Sequence, residues 1–157
     1  MTRPWVGLPA PGVERELHVV IPGQPHGMGR PRAVIRGKHA GVYERPEDAS
    51  WKAYASALYQ SAMFSQLHPC TPLAGPVAVW IVAVWACPKS AKKADRCRQR
   101  PRVGKPDADN IAKAVCDAGN GVLWVDDAQV VELHVTRFVA AEGGAPRVEV
   151  TVRTIAS

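Results

Sequence analysis

The sequence predicts a small α+β domain with a mixed or antiparallel sheet and two main helices. Three observations carry that prediction. Several segments alternate apolar and polar residues with the period of a half-buried strand, and one long segment repeats its apolar residues at helical three- and four-residue steps. Val77 to Ala86 is apolar at nearly every position, rich in β-branched residues and Trp, and bounded by Gly75-Pro76 and Pro88. Such a run fits a central strand covered on both faces. At 157 residues, 46% apolar and 22% charged, the chain suits one domain whose core needs neither disulfides nor structural metal.

In chain order, residues 1–15 are rich in Pro and Gly and read as a loose lead-in to a single domain over 16–157. Leu17, Val19 and Ile21 alternate with His18 and Val20, a strand that Pro22-Gly23 stops. The next stretch carries Arg30, Arg32, Arg36, Lys38 and Arg45 among glycines and prolines. A short hairpin is expected there, with strands near Ala33–Ile35 and Val42–Tyr43 and its turn at Gly37–Gly41. Pro46, Glu47 and Asp48 open a helix. Its stripe of Trp51, Tyr54, Leu58 and Ala62 should face the core until His68-Pro69.

After the central strand come Lys89, Lys92, Lys93, Arg96, Arg98, Arg100, Arg102 and Lys105 against the single Asp95. With no apolar stripe to order it, this segment reads as a mobile surface loop able to neutralise phosphates. Near the end, Val131, Leu133 and Val135 alternate with polar residues, as do Val148, Val150 and Val152. The intervening Gly143-Gly144 predicts an antiparallel hairpin closing the sheet. His134 reads as a solvent-facing strand position.

The net charge of +6 favours polyanionic partners. Cys70, Cys87, Cys97 and Cys116 form no C-x-x-C pair and read as reduced thiols. No secretion signal opens the chain and no apolar run approaches spanning length, so a cytoplasmic protein without a membrane partner is expected.

The chemistry concentrates between Lys105 and Glu132, which holds Asp107, Asp109, Asp117, Asp126 and Asp127. In an extended segment Asp107 and Asp109 would point to one side. A helix follows from Asn110, with Asp109 as a candidate N-cap and Gly119 available at C′. On it Asp109, Lys113 and Asp117 share a face at four-residue steps, as an ion-pair ladder would. Asp107, Asp109 and one of Asp126 and Asp127 brought together would repel unless a divalent cation lay among them. All-oxygen ligands suit Mg²⁺ or Mn²⁺ rather than zinc. Such an ion beside a Lys and a basic loop is equipment for phosphodiester hydrolysis.

The run KPDADNIAKAVCDAGNGVLWVDDAQVVELHV resembles the signature of the RusA-type Holliday junction resolvases, and the upstream IPGQPHGMGRPR and AGPVAVWIVAVWACPKS are similar to other parts of that family. The resemblance implies a RusA-like α+β homodimer that nicks four-way DNA junctions symmetrically with Mg²⁺. By matched position it implies metal-binding carboxylates at Asp107, Asp109 and Asp127, an auxiliary Asp126 and an essential Lys113. Two departures stand out. Met28 occupies a position where the family commonly has Lys, which would remove a phosphate contact. Ala108, Ala112 and Cys116 replace bulkier apolar residues. Two other functions use the same residues: a catalytically silent protein that binds branched DNA, and a metal-dependent phosphohydrolase acting on small nucleotides.

Overall fold

The computed structural model describes residues 15–29, 32–36 and 39–155, with backbone alone for 32–36 and 39–43. The expected lead-in lies outside these except for Arg15, which pairs through its backbone with Thr154. The strands are β1 (Glu16–Pro22), β2 (Arg32–Arg36), β3 (His39–Tyr43), β4 (Val77–Trp85), β5 (Arg100–Pro101), β6 (Val130–Val139) and β7 (Arg147–Thr154). The helices are α1 (Pro46–Gln66), the single turn α2 (Lys93–Arg96) and α3 (Ala108–Gly119). Five strands form one mixed sheet in the order β1-β7-β4-β6-β5, while β2 and β3 form a separate antiparallel hairpin. This is the α+β architecture with two main helices that the sequence predicts. No helix among the described residues is long and apolar enough to cross a membrane.

The core lies on one face of the sheet. Leu17, Val19 and Ile21 of β1 join Val148, Val150 and Val152 of β7 and Val77, Val79 and Ile81 of β4. Against them pack Ala55, Tyr59, Ala62 and Met63 of α1 and Ile111 and Val115 of α3. Burying each large aliphatic side chain of this set contributes roughly 1.5–3 kcal/mol before entropy is counted. The two helices are also tied directly, the Ser56 hydroxyl donating to the Ala118 carbonyl at 2.7 Å.

Four expectations need correction. First, β6 and β7 run antiparallel but do not pair. Strand β4 lies between them, parallel to β6 and antiparallel to β7. The most apolar strand takes the centre, and the chain between β6 and β7 is long enough to step over it, as a tight hairpin turn could not. Second, among the described residues the far face of β4 is less fully covered than the core face. Ala78 and Val84 are buried there, but Trp80 and Val82 are only partly so. Their cover comes from neighbouring strands: the His134 ring stacks on Trp80 at 5.6 Å, and the Arg153 guanidinium stands 5.6 Å from the same ring. His134 is exposed as expected.

Third, the buried stripe of α1 is rotated. Trp51 and Leu58 pack at its margin, but Tyr54 is 45% exposed while Ala55 and Tyr59 are fully buried. Tyr54 falls about 120° from the centre of the stripe at ~100° per residue, so its ring points away from the sheet. Fourth, β2 and β3 are longer than expected and pair from Arg32↔Tyr43 to Arg36↔His39, so Ala40 and Gly41 are strand rather than turn. Residues 37–38, at the expected turn, lie outside the described residues.

The end of α3 also differs. Gly119 is the last helical residue, not a left-handed one; the positive φ of 73° belongs to Gly121. Gly119 is needed because a Cβ there would stand 2.8 Å from the Trp124 ring, and Trp124 is wholly buried. All four cysteines are free thiols, with Cys116 buried and Cys70 and Cys97 exposed.

Candidate active site

The aspartates sit where α3 and the start of β6 meet. Helix α3 begins two residues earlier than expected, at Ala108 rather than Asn110. Asp107 occupies the N-cap position and Asp109 lies within the first turn, so the two carboxylates do not share an extended strand. Asp107 makes no capping hydrogen bond through its side chain. Its carboxylate, exposed at a helix N-terminus, remains available in a field that favours negative charge.

Arginines hold that N-terminus. Arg137 on β6 donates from Nη1 to the carbonyls of Gly104 and Pro106 at 2.7 and 3.0 Å, and Arg102 donates to the carbonyl of Lys105 at 2.8 Å. From the other side, the Met28 N–H donates to the Asn110 carbonyl at 3.0 Å. A Cβ on Gly27 would collide with Pro106. Met28 itself is 6% exposed, so its side chain faces inward and packs, where a lysine would bury its charge.

Asp109, Lys113 and Asp117 line an open groove of about 420 Å³ together with Asp127. Its apolar side comes from Ala112 and Cys116 of α3 and from Val131 and Leu133 of β6. Small residues at Ala112 and Cys116 thus leave room beside the carboxylates. Lys113 Nζ stands 3.2 Å from Asp117 Oδ2, which is half of the expected ladder. Burial, and after it the negative charge of Asp127 and Asp117, pushes the Cys116 thiol up to about 11, with Lys113 opposing. Asp107 is not among the groove-lining residues.

Asp126 and Asp127 are placed differently. Asp126 caps a 3-10 turn at Asp127–Gln129, its Oδ1 accepting from the Ala128 N–H at 2.8 Å. Gln129 completes the cap, with Oε1 accepting from the N–H of Val125 and of Asp126. The same side chain donates from Nε2 to the carbonyls of Leu73 and Gly75 at 2.9 and 2.8 Å. Gln129 and Arg137 are positioning residues that spacing does not reveal. In the sequence each is only a polar residue near a strand, and its partners lie far away along the chain.

The basic segment is not a loose loop. Arg96 donates to the carbonyls of Ala91 and Lys89, and Arg100 to that of Asp95. The Arg102 guanidinium lies 4.3 Å from the Trp85 ring centroid. A sequence with no apolar stripe is ordered by arginine side chains satisfying backbone carbonyls, which regular structure leaves unpaired here. Of the proposed DNA-contacting residues, Lys89, Lys92, Lys93, Arg98 and Lys105 are exposed, while Arg96, Arg100 and Arg102 are half-buried and engaged. Arg30 and Lys38 lie outside the described residues, and Arg32 and Arg36 sit at the two ends of β2.

Hard oxygen donors on an exposed rim suit Mg²⁺ or Mn²⁺. Among the described residues no three His, Cys, Asp or Glu side chains come close enough to cage an ion. Mg²⁺ does not require a cage. It takes one or two protein carboxylates and completes its shell with water and substrate phosphate, so Asp109 and Asp127 fit such an ion.

Comparison with known proteins identifies a family. A family model described as "Endodeoxyribonuclease RusA" matches residues 22–153. The chain is also 33% identical over 147 residues to "Uncharacterized protein YqaN" of Bacillus subtilis (strain 168), covering 90% of this chain and 98% of that one. The matched span runs from the end of β1 into β7 and so takes in the hairpin, the groove and the whole basic segment. The chain belongs to the RusA endodeoxyribonuclease family.

Proposed function

We propose that the protein is a Mg²⁺- or Mn²⁺-dependent endonuclease that resolves four-way DNA junctions by paired symmetrical nicks, acting as a homodimer. The observation that carries this reading is the common groove of Asp109, Lys113 and Asp127. Asp109 and Asp127, on different elements, would hold the metal, and Asp107, at the N-cap of α3 and outside the groove lining, would add negative charge beside it. When bound, the metal supplies an activated water and a counter-charge for the leaving oxygen.

The chain's own residues bind and orient the substrate. Lys113, held toward the groove by Asp117, offsets negative charge developing on the attacked phosphate. The exposed Lys89, Lys92, Lys93, Arg98 and Lys105, with Arg32 and Arg36 of the hairpin, hold backbone phosphates and read shape rather than bases. An isologous dimer presents two equivalent grooves to two opposed strands. The openness of the groove favours a polymer, because a site for a small nucleotide would enclose most of its ligand.

The test is a synthetic four-way junction with Mg²⁺ and with Mn²⁺. Wild type should make paired nicks, and Asp109→Asn should slow single-turnover cleavage about 10²-fold or more with binding retained. Absence of paired nicks with either metal, or undiminished cutting by Asp109→Asn, defeats the reading. Tight binding with no nicking would instead identify a silent junction binder. Cleavage of mononucleotides that is insensitive to salt would identify a phosphohydrolase.

A further inference from the structure

Asp48 is 3% exposed, although an acidic residue in the first turn of a helix needs no burial to serve the dipole. Buried aspartates are rare unless paired, and this one is gripped from two sides. Arg45 donates to it from Nε at 2.9 Å and from Nη2 at 2.8 Å, and His26 Nε2 stands 2.6 Å from Oδ1. The His26 ring in turn stacks on Trp51 of α1 at 5.8 Å.

The place of these partners in the chain gives the cluster its meaning. His26 precedes β2 and Arg45 follows β3, so one carboxylate ties both legs of the hairpin to α1. The legs are also tied to each other: Arg45 Nη2 lies 3.4 Å from the Gly27 carbonyl, and a Cβ on Gly29 would collide with the Arg45 guanidinium. The leg between His26 and Gly29 is the one that docks on α3, through Gly27 against Pro106 and the Met28 N–H on the Asn110 carbonyl. Asp107 and Asp109 belong to that same turn of α3. The base of the hairpin and the acidic end of the groove are therefore one packed unit.

We propose that Asp48 is a positioning residue for DNA binding, clamping the base of the β2–β3 hairpin so that its Arg32 and Arg36 stand at a fixed distance from the carboxylates of α3. The phosphate-contacting role of the hairpin rests on the nuclease reading above; the clamp does not. An unclamped hairpin would still carry its charge, but each engagement with a phosphate would first have to order the arm. The cost would appear in the junction concentration needed for cleavage and not in the rate once the junction is bound.

Two measurements on full-length protein test this. In Asp48→Asn, amide hydrogen exchange over residues 32–36 and 39–43 should accelerate about tenfold or more beyond any change in β4 and β7, because the loss is largest locally. The junction concentration for half-maximal cleavage should rise about tenfold, with the saturating rate within about twofold of wild type. Adding Asp48→Asn to an Arg32→Ala/Arg36→Ala protein should then weaken binding little further, since the clamp acts through those arginines.

Unchanged exchange in the hairpin, loss of protection spread equally over the sheet, or a full additional effect in the triple variant overturns the proposal. Faster exchange with unchanged junction affinity overturns it while leaving the nuclease reading intact. A wild type that neither binds nor nicks junctions defeats the nuclease reading before any variant is compared. Should Asp48→Asn not fold, His26→Ala makes the same comparison with the Arg45–Asp48 pair kept.

Discussion

Two adjacent aspartates illustrate how little residue type says about role. Asp126 has extended backbone, φ −148° and ψ 143°, and its carboxylate closes a capping box with Gln129. Asp127, the next residue, lines the groove with Asp109 and Lys113. Removing a cap costs about 1 kcal/mol, which for a chain of this size lowers Tm by ~2–4 °C. Asp126→Ala should show that thermal loss and keep nicking within about threefold of wild type, because the Asp126 carboxylate is engaged in the cap and does not line the groove. Asp127→Asn should do the reverse, melting like wild type and losing about 10²-fold in single-turnover rate. Melting curves and junction cleavage on the same preparations check both; an activity loss in Asp126→Ala as deep as that in Asp127→Asn would exchange the assignments.

At the scale of elements, the basic segment divides into cations that build and cations that face solvent. Arg102 is of the first kind, with its Nε buried and without a hydrogen-bond partner while the guanidinium lies on Trp85. Lys92 and Lys93, exposed at the one-turn helix α2, are of the second. Every phosphate that a variant no longer neutralises should reduce the slope of log K against log salt by about 0.9. Lys92→Ala/Lys93→Ala should therefore flatten the slope by about 1.8 at unchanged Tm. Arg102→Ala should lower Tm and leave the slope alone. A titration of junction binding across salt concentrations separates them, and equal slope changes in the two proteins would contradict the division.

Among the described residues, titrating groups limit stability on the acid and on the alkaline side. Burial alone would raise the Asp48 carboxyl, but hydrogen bonds from Arg45 and His26, and then their charges, bring it below its ordinary value. The folded state binds that proton more weakly than the unfolded state. The stability it contributes is present above the unfolded carboxyl value of ~3.9 and lost as pH falls through the lower folded value. Cys116 works in the opposite direction. Its thiol is raised to about 11, so its contribution is present below the unfolded value of ~8.5 and lost as pH rises toward the folded one. Burial also raises the Tyr59 hydroxyl. Urea unfolding should thus give a plateau between about pH 5 and 8 that falls on both sides. Asp48→Asn should weaken the acid limb and Cys116→Ala the alkaline limb. An acid limb unchanged in Asp48→Asn would remove Asp48 from this account.

The elements and the Asp-Lys pattern that faces the groove are legible in the chain alone. Apolar alternation in Leu17–Ile21 and Val148–Val152, the unbroken run of β4 and the Asp-Lys pattern of α3 are local properties, and local periodicity decides which face a residue presents. Which strands are neighbours is settled in three dimensions, because pairing depends on where β4 lies and not on the turn between β6 and β7. So is the question of which charges are spent on the fold. Arg96, Arg100, Arg102, Arg137, Gln129 and the Arg45–Asp48–His26 cluster look like any surface polar residue until a carbonyl or carboxylate from a distant segment arrives beside them. A hydrogen bond between segments leaves no period in the chain, so its partners become legible only when the core has brought those segments together.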